Sequence, residues 1–253
     1  MRVLHTVMPM AGRGSRFLDK GYTTPKPLIR VEGVPLFVRA ISGLKSVDAP
    51  RKYTFIVRNE HIRDFAIDRR LRHCFPEAAV LGVEHTTRGA VETCLLAASR
   101  IAPDDAVVIQ DCDLEFYSKS FCDGIFSDLQ SDGSAVGGRL VSFRADHPRY
   151  SYAEVDPRGR VLRTAEKQVI SHHALAGAYY FSRGEDFLAA ARELVRRVDA
   201  GNMRVNELYL SLLYNILLDG GKTVELHELE HYRSFGTPEE LRGMDWSAEL
   251  TDE

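Results

Sequence analysis

The sequence predicts an α/β fold built on a mostly parallel sheet with helices on both faces. Three observations carry that reading. Short apolar runs alternate with helix-period segments from residue 3 to residue 111, a β-α-β-α-β succession that covers both faces of a parallel sheet. The run "DAVVIQD" (105–111) is apolar throughout its middle, as a strand buried on both faces should be. Beyond residue 150 the pattern changes, and a hairpin signal makes the sheet mixed.

In chain order, "VLHTVMP" (3–9) is a first strand that runs into a loop rich in Gly and Arg. "LFVRAISGLKS" (36–46) has helical spacing behind Pro35, a favoured first-turn residue. "YTFIV" (53–57) is a strand, and "EHIRDFAIDRRL" (60–71) a helix with Ile62, Phe65 and Ile67 roughly on one face. "AAVLGVE" (78–84) is the next strand and "GAVETCLLAASRI" (89–101) the next helix. "SYAEVDPRGRVLRTAEK" (151–167) reads as a hairpin, with Val155 and Val161 flanking a Pro/Gly turn. A strand at 174–182, helices at 184–198 and 205–220, a strand at 222–228 and a helix after Pro238 complete the pattern. There is no internal repeat, low-complexity tract or linker, so one domain over 1–253 is expected.

Composition narrows the function. With 44% hydrophobic and 27% charged residues the chain is an ordinary globular one, and a net charge of -3 excludes a general nucleic-acid binder. Cys74, Cys94, Cys112 and Cys122 show no metal-ligand spacing, so free thiols in a reducing cytoplasm are expected. The N-terminus lacks a secretory apolar run, and no segment reaches the roughly 18 apolar residues of a membrane span.

The chemistry begins in "MPMAGRGSRFLDKGYTTPKPLI" (8–29). Glycines at 12 and 14 let backbone N–H groups approach an anion, and Arg16 follows at once. Phe17 stands where a dinucleotide fingerprint needs glycine, and no G-K-[ST] follows, so neither the Rossmann nor the Walker pattern fits. Ten residues on, Pro25 and Pro27 fix the backbone around Lys26 and hold its ammonium rigidly. "VVIQDCDLEF" (107–116) then ends a buried strand in two carboxylates, Asp111 and Asp113, an expensive arrangement unless a cation is bound.

Taken together, "AGRGSRF…PKPLI" resembles the sugar-1-phosphate nucleotidyltransferases, or nucleotide-sugar pyrophosphorylases. Their G-x-G-[ST]-R-[FL]…P-K-P pattern is matched at Gly12, Gly14, Ser15, Arg16, Phe17, Pro25, Lys26 and Pro27. The resemblance implies a three-layer α/β/α Rossmann-like sandwich of the nucleotide-diphospho-sugar transferase type, similar to the GT-A glycosyltransferases. It divides the chain into a nucleotide-binding half (1–115), an acceptor-binding half (116–241) and a tail (242–253). It implies nucleotide binding by Met10, Ala11, Gly12, Arg13, Gly14, Ser15, Arg16, Lys26, Thr87, Gly89 and Asp111, with Arg16, Lys26 and Asp113 catalytic. "FLDKGYTT" (17–24) is expected to close over the triphosphate.

On the acceptor side the resemblance implies roles for Glu166 and Lys167 of "TAEK", Gly177 of "ALAGAYYF" and Glu207 of "VNELYLSLLYN". Mg²⁺ is the implied cofactor, held by Asp113, with Asp111 as second ligand or none. One departure stands out: relatives end in D-x-G-T-P, whose aspartate binds metal, whereas "RSFGTPEEL" (233–241) has Ser234 there. Either one aspartate with phosphate oxygens and water suffices, or Glu228 or Glu230 substitutes. The same departure points to a capsule- or cell-surface-related branch. The last twelve residues are expected to be a helix end and an acidic tail, with no further domain.

The expected reaction joins an NTP to a sugar 1-phosphate or similar small phosphorylated acceptor and releases pyrophosphate. The expected partners are these two substrates, with a homo-oligomer also open, and no nucleic acid and no membrane. Three alternatives stay open: a metal-dependent glycosyltransferase using Asp111-x-Asp113, a cytidylyltransferase acting on a non-sugar phosphate or phosphonate, and a non-catalytic binding homologue. The base, the acceptor and the number of metals are not legible in these residues.

Overall fold

In the computed structural model, which describes residues 1–131 and 136–242, the first apolar run becomes β1 (Leu4–Met10) at the centre of a nine-stranded sheet. A short helix α1 (Ser15–Leu18) follows, then a 3₁₀ turn at Lys26–Leu28 and a small ribbon of β2 (Arg30–Val31) and β3 (Val34–Pro35). Next come α2 (Leu36–Ser42), β4 (Arg51–Arg58), α3 (Asn59–Phe65), α4 (Ile67–Cys74), β5 (Ala79–Val83), α5 (Ala90–Leu95) and β6 (Ala106–Gln110). The second half adds β7 (Leu114–Tyr117), α6 (Lys119–Gln130), β8 (Val136–Arg144), β9 (Ser151–Val155), β10 (Val161–Glu166) and β11 (His173–Phe181). It closes with α7 (Gly184–Asp199), α8 (Leu213–Asp219), β12 (Thr223–Glu228), β13 (His231–Ser234) and α9 (Pro238–Arg242).

β5, β4, β1 and β6 run parallel, with Val7 of β1 opposite Thr54 of β4 and Ile109 of β6. β11 then enters antiparallel and divides the sheet. Its second half pairs β6, with Ala178 opposite Gln110, while on its first half Ala174 meets Tyr152 of the β9–β10 hairpin. Its other edge carries β8, and β8 carries β12 in parallel. The expected mixed, mostly parallel sheet between helical layers is present.

Strand alternation explains the two faces. Val7, Ile56, Val107 and Ile109 share a core with α5, α7 and α8, where Phe187, Ala190, Ala191 and Leu194 recur at helical spacing along α7. Met8, Met10, Phe55 and Val57 pack on α2 and α4. Leu4, Ala106 and Val108 pack on α6 through Phe121, Ile125 and Leu129. β6 is therefore buried on both sides along its whole length.

Several boundaries differ from the sequence reading. The 60–71 helix breaks at Ala66, which adopts a left-handed φ of 48° and separates α3 from α4. The 205–220 segment is helical only from Leu210, as a 3₁₀ turn leading into α8, because residues 205–209 instead pass over Gly89. The 36–46 helix ends at Ser42, and the 89–101 helix closes as a separate 3₁₀ turn, Ala98–Arg100. Helix α6 and strands β7, β8 and β13 were not foreseen; "VGGRLVSFR" of β8 reads weakly because two glycines and two arginines interrupt it. Residues beyond Arg242, where an acidic tail was expected, lie outside the described residues. All four cysteines are free thiols. Among the described residues no helix is long and apolar enough to cross a membrane.

A buried polar cluster ties α6 to the sheet. Arg139 of β8 donates to both carboxylate oxygens of Asp128 at 2.9 and 3.0 Å and also pairs Glu225. His227 lies 3.3 Å from the same guanidinium. Burial, and next the Arg139 charge, push the His227 pKa down to about 4. The folded protein then binds fewer protons than the unfolded chain between pH 6.5 and 4, so stability falls as pH drops through that window. By pH 5 the His227 contribution to this loss is about 2 kcal/mol. Urea unfolding at pH 7 and pH 5 should show a smaller loss in His227→Gln than in the parent; equal losses would rule this group out.

Candidate active site

The end of β1 delivers the glycine loop. Gly14 takes a left-handed conformation (φ 63°, ψ 29°) that glycine adopts without strain, and its carbonyl accepts the N–H groups of Phe17 and Leu18. Phe17 is 2% exposed and packs with Ile29, Val31, Leu36 and Phe235 in a small separate core. That core fastens three distant segments together: the glycine loop, the stretch after P-K-P, and the "FGTP" segment of 235–238. Lys26 opens the 3₁₀ turn between Pro25 and Pro27, and its Nζ reaches Asp113 Oδ2 at 2.6 Å.

Asp111 and Asp113 stand just past the end of β6. The Asp111 N–H donates to the Gly177 carbonyl at 2.9 Å, which locks this turn to β11. Burial raises the Asp111 pKa to about 7; the Asp113 charge adds to the effect, Lys26 opposes it and Glu166 contributes further. Burial works most strongly against the Lys26 ammonium, but Asp113 together with Cys112 and Asp111 outweighs it and the pKa ends above the ordinary lysine value. Lys26 thus stays charged throughout the neutral range, beside carboxylates that are costly to ionise together.

Two lobes of one cleft meet here. The larger, of about 790 Å³, is lined by Met10, Gly12, Arg13, Gly14, Ser15, Arg16 and Lys26, and by residues of α3. The smaller, of about 290 Å³, is lined by Glu166, Gly177 and Ser234, together with Arg149, Tyr150, Tyr179, Tyr209, Tyr232 and Glu240. Arg16, Asp111, Asp113, Glu207 and Gly236 line both. Ala11 is buried and lines neither.

Not every expected position faces the cleft. Thr87 and Gly89 line neither lobe. Gly89 is packed against backbone: a Cβ there would stand 2.5 Å from the Leu208 nitrogen, whose N–H donates to the Arg88 carbonyl. Thr87 Oγ1 donates to the Gly89 carbonyl at 3.1 Å, so both residues shape the turn that meets Leu208. Lys167 also lines neither lobe; its Nζ donates to the Tyr209 hydroxyl at 2.6 Å. Gly177, expected to make room for an acceptor, lines the smaller lobe and also makes room for Asp111, since a Cβ at its φ of 63° would lie 2.6 Å from Asp111 Oδ2. Glu228 and Glu230 are not substitutes at Ser234. Glu230 accepts from the Lys119 N–H and Glu228 pairs Arg144, both beyond the far end of β13 from Ser234.

Sequence reasoning missed the α3 wall, with Glu60, His61, Arg63, Asp64 and Phe65, and the loop residues Arg149 and Tyr150. Short polar loops carry no periodicity, and only the topology brings them to the cleft. Glu240 had a readable signal: Thr237-x-x-Glu240 is a capping box. Thr237 Oγ1 accepts the Glu240 N–H and Glu240 Oε2 accepts the Thr237 N–H, each at 3.2 Å.

Residues 7–195 match the MobA-like NTP transferase domain. The chain belongs to that family. No curated protein matches it. Among solved structures it is similar to a nucleoside-diphosphate-sugar pyrophosphorylase from Vibrio cholerae, at 28% identity and TM-score 0.79 over 94% of this chain and 98% of that one. It shares its fold with a protein assigned as a glucose-1-phosphate thymidylyltransferase from Bacillus anthracis (18% identity, TM-score 0.75, covering 99% and 97%). It also shares it with an inositol-1-phosphate CTP transferase from T. maritima (14%, TM-score 0.66, covering 93% and 90%). The protein is a nucleotidyltransferase of the nucleotide-diphospho-sugar transferase fold.

Gly177→Ala tests the packing of the strand-end turn. A left-handed non-glycine residue costs about 1–2 kcal/mol, and its Cβ displaces the Asp111 carboxylate. Denaturant unfolding should register the loss, and turnover should fall more steeply than in the control Gly221→Ala, a left-handed glycine with open space around its Cβ position and away from both lobes. Equal turnover in the two variants would dissociate Gly177 from the site.

Proposed function

We propose that the larger lobe takes the triphosphate of an NTP, that the smaller takes the acceptor, and that Mg²⁺ binds at Asp113 with Asp111. The observation that carries this reading is the sorting of charge along the cleft. In the larger lobe Lys26 is paired with Asp113 and Arg63 with Asp64, while Arg58 neutralises Glu60. The cations left without an ion pair among the described residues are Arg13 and Arg16, on the glycine loop. The cleft carboxylates left without one are Asp111 and Glu207, where the two lobes meet, and Glu166 in the smaller lobe, held by serine hydroxyls. Free cations on the loop suit the β- and γ-phosphates; free carboxylates at the strand end suit a metal ion.

The fit to Mg²⁺ rests on the donor set. Asp111 and Asp113 offer hard oxygens, and the raised Asp111 pKa marks a place where an added cation is favourable. Two carboxylates leave the rest of the coordination shell to water and phosphate oxygens, as Mg²⁺ prefers. When bound, such an ion neutralises charge on the triphosphate.

The chain's own residues then do the following. The loop N–H groups and Arg16 hold the β- and γ-phosphates. An oxygen of the acceptor phosphate, already ionised, attacks the α-phosphorus, and the bond to the departing pyrophosphate breaks in line. Lys26, rigid between its prolines, faces the charge that grows on the leaving group. No general base is required, so positioning and charge stabilisation carry the rate. Glu166, held by the hydroxyls of Ser151 and Ser211, faces the acceptor with Glu207. The acceptor is a sugar 1-phosphate or another small phosphorylated alcohol, in a capsule- or cell-surface-related activation step of the cytoplasm.

A glycosyltransferase would use Asp111-x-Asp113 with a sugar nucleotide but has no need of a rigid lysine at the leaving pyrophosphate. Pyrophosphate release from each of the four NTPs with glucose 1-phosphate or inositol 1-phosphate separates the two readings. In that assay Lys26→Ala should lower kcat by about 10²–10³-fold, and near-parental turnover in a folded variant would remove Lys26 from the chemistry. Chelation with EDTA should abolish pyrophosphate release, Mg²⁺ should restore it, and the melting temperature should stay in place. Undiminished release in EDTA would refute the metal assignment.

A further inference from the structure

The position of Ser234 has a specific consequence for the acceptor lobe. Ser234 Oγ donates to Glu240 Oε2 at 2.8 Å, and the same oxygen accepts the Thr237 N–H at 3.2 Å. Glu240 Oε1 faces Arg149 Nη2 at 3.0 Å. Both oxygens of Glu240 are therefore engaged by donors, which makes it an anchor for a cation rather than a spare metal ligand. Arg149 lies over the Tyr150 ring, 4.5 Å from its centroid, and lines the acceptor lobe. Its Nη1 and Nε have no protein partner among the described residues. The network borders the reacting centre: a Cβ added at Gly236 would stand 3.3 Å from both Asp113 Oδ2 and Glu240 Oε2, and 3.6 Å from Ser234 Oγ.

Resting on the nucleotidyl-transfer reading, we infer that Arg149, held by Ser234 and Glu240, binds the phosphate of the acceptor. The cations lining this lobe are Arg16, assigned to the nucleotide, and Arg149; Lys167 does not line it, and its Nζ donates to the hydroxyl of Tyr209 in its wall. With Nη2 held by Glu240 and the Tyr150 hydroxyl, Nη1 and Nε remain to donate charged hydrogen bonds to a phosphate. An aspartate at 234 would set a carboxylate against Glu240 and turn the anchor away. The serine is thus a positioning residue for the acceptor cation, acting through Glu240.

Inorganic phosphate titrated into the protein and followed by ³¹P line broadening tests this without turnover. Arg149→Ala should bind it about tenfold more weakly, as loss of a charged hydrogen bond implies, with Arg149→Lys intermediate. Ser234→Asp should reproduce most of that loss. In the pyrophosphate assay with glucose 1-phosphate or inositol 1-phosphate, Arg149→Ala and Ser234→Asp should raise the acceptor KM about tenfold, with KM for the NTP held. Parental phosphate affinity in Arg149→Ala, or a loss in Lys167→Ala as large as in Arg149→Ala, would overturn the assignment. So would a Ser234→Asp variant that binds phosphate normally. If the parent releases no pyrophosphate from any NTP, the transfer reading fails, while the phosphate titration still decides Arg149.

Discussion

Two carboxylates at the end of a strand buried on both faces set the terms for this molecule. Asp111 and Asp113 sit where water is scarce, next to each other and near Glu166. Left alone, they would be among the costliest features of the fold. The Lys26–Asp113 pair at 2.6 Å relieves one of them, and removing either partner would strand a charge in a half-buried site. Holding Lys26 there requires the two prolines, and holding the proline segment requires the small core around Phe17 and Phe235. The turn itself needs the absent Cβ of Gly177. Much of what is unusual in the local structure thus exists to keep two negative charges in place.

This explains which parts of the site were legible in the sequence. Gly14, Lys26 and Asp113 were readable because each needs a particular residue type at a particular backbone position. The glycine must turn left-handed, the lysine must be fixed by its flanking prolines, and the aspartate must end a run too apolar to be exposed. Gly89 and Gly177 were also singled out, but the sequence could not say what fills the space they leave. At Gly89 it is the backbone of Leu208, and at Gly177 it is Asp111. A missing side chain signals close approach without naming the neighbour. The sheet was legible where strands are apolar throughout and illegible at β8, where Gly137, Gly138 and Arg139 hide a buried strand. Arg139 is buried only because Asp128 and Glu225 converge on it from other elements.

The two lobes came out of topology rather than local pattern. β11 runs antiparallel into a parallel sheet, and its first half pairs the β9–β10 hairpin instead of β6. That division brings Glu166 and the Arg149–Tyr150 loop to the same strand end as the glycine loop. Ligands of open α/β sheets bind at such carboxyl ends, where a change in strand order opens a crevice. Here the crevice has two lobes, and one set of residues, Arg16 and the two aspartates, lines both of them.

Sharing has a cost in charge that the departure at Ser234 addresses. Around Gly236 carboxylate oxygens of both Asp113 and Glu240 already lie within 3.3 Å of where a Cβ would stand. A further aspartate at 234 would add a third negative group to the lobe proposed for an anionic acceptor. A hydroxyl donates instead, and at 2.8 Å it stabilises the Glu240 carboxylate without adding charge. The capping box gives that carboxylate a fixed direction, because Glu240 is tied to the first turn of α9 by Thr237. Arg149 then brings a positive charge to the lobe with its orientation set from two sides, the carboxylate and the Tyr150 ring. The serine therefore shifts the local balance toward binding an anion, at the expense of a carboxylate that could have held a second metal.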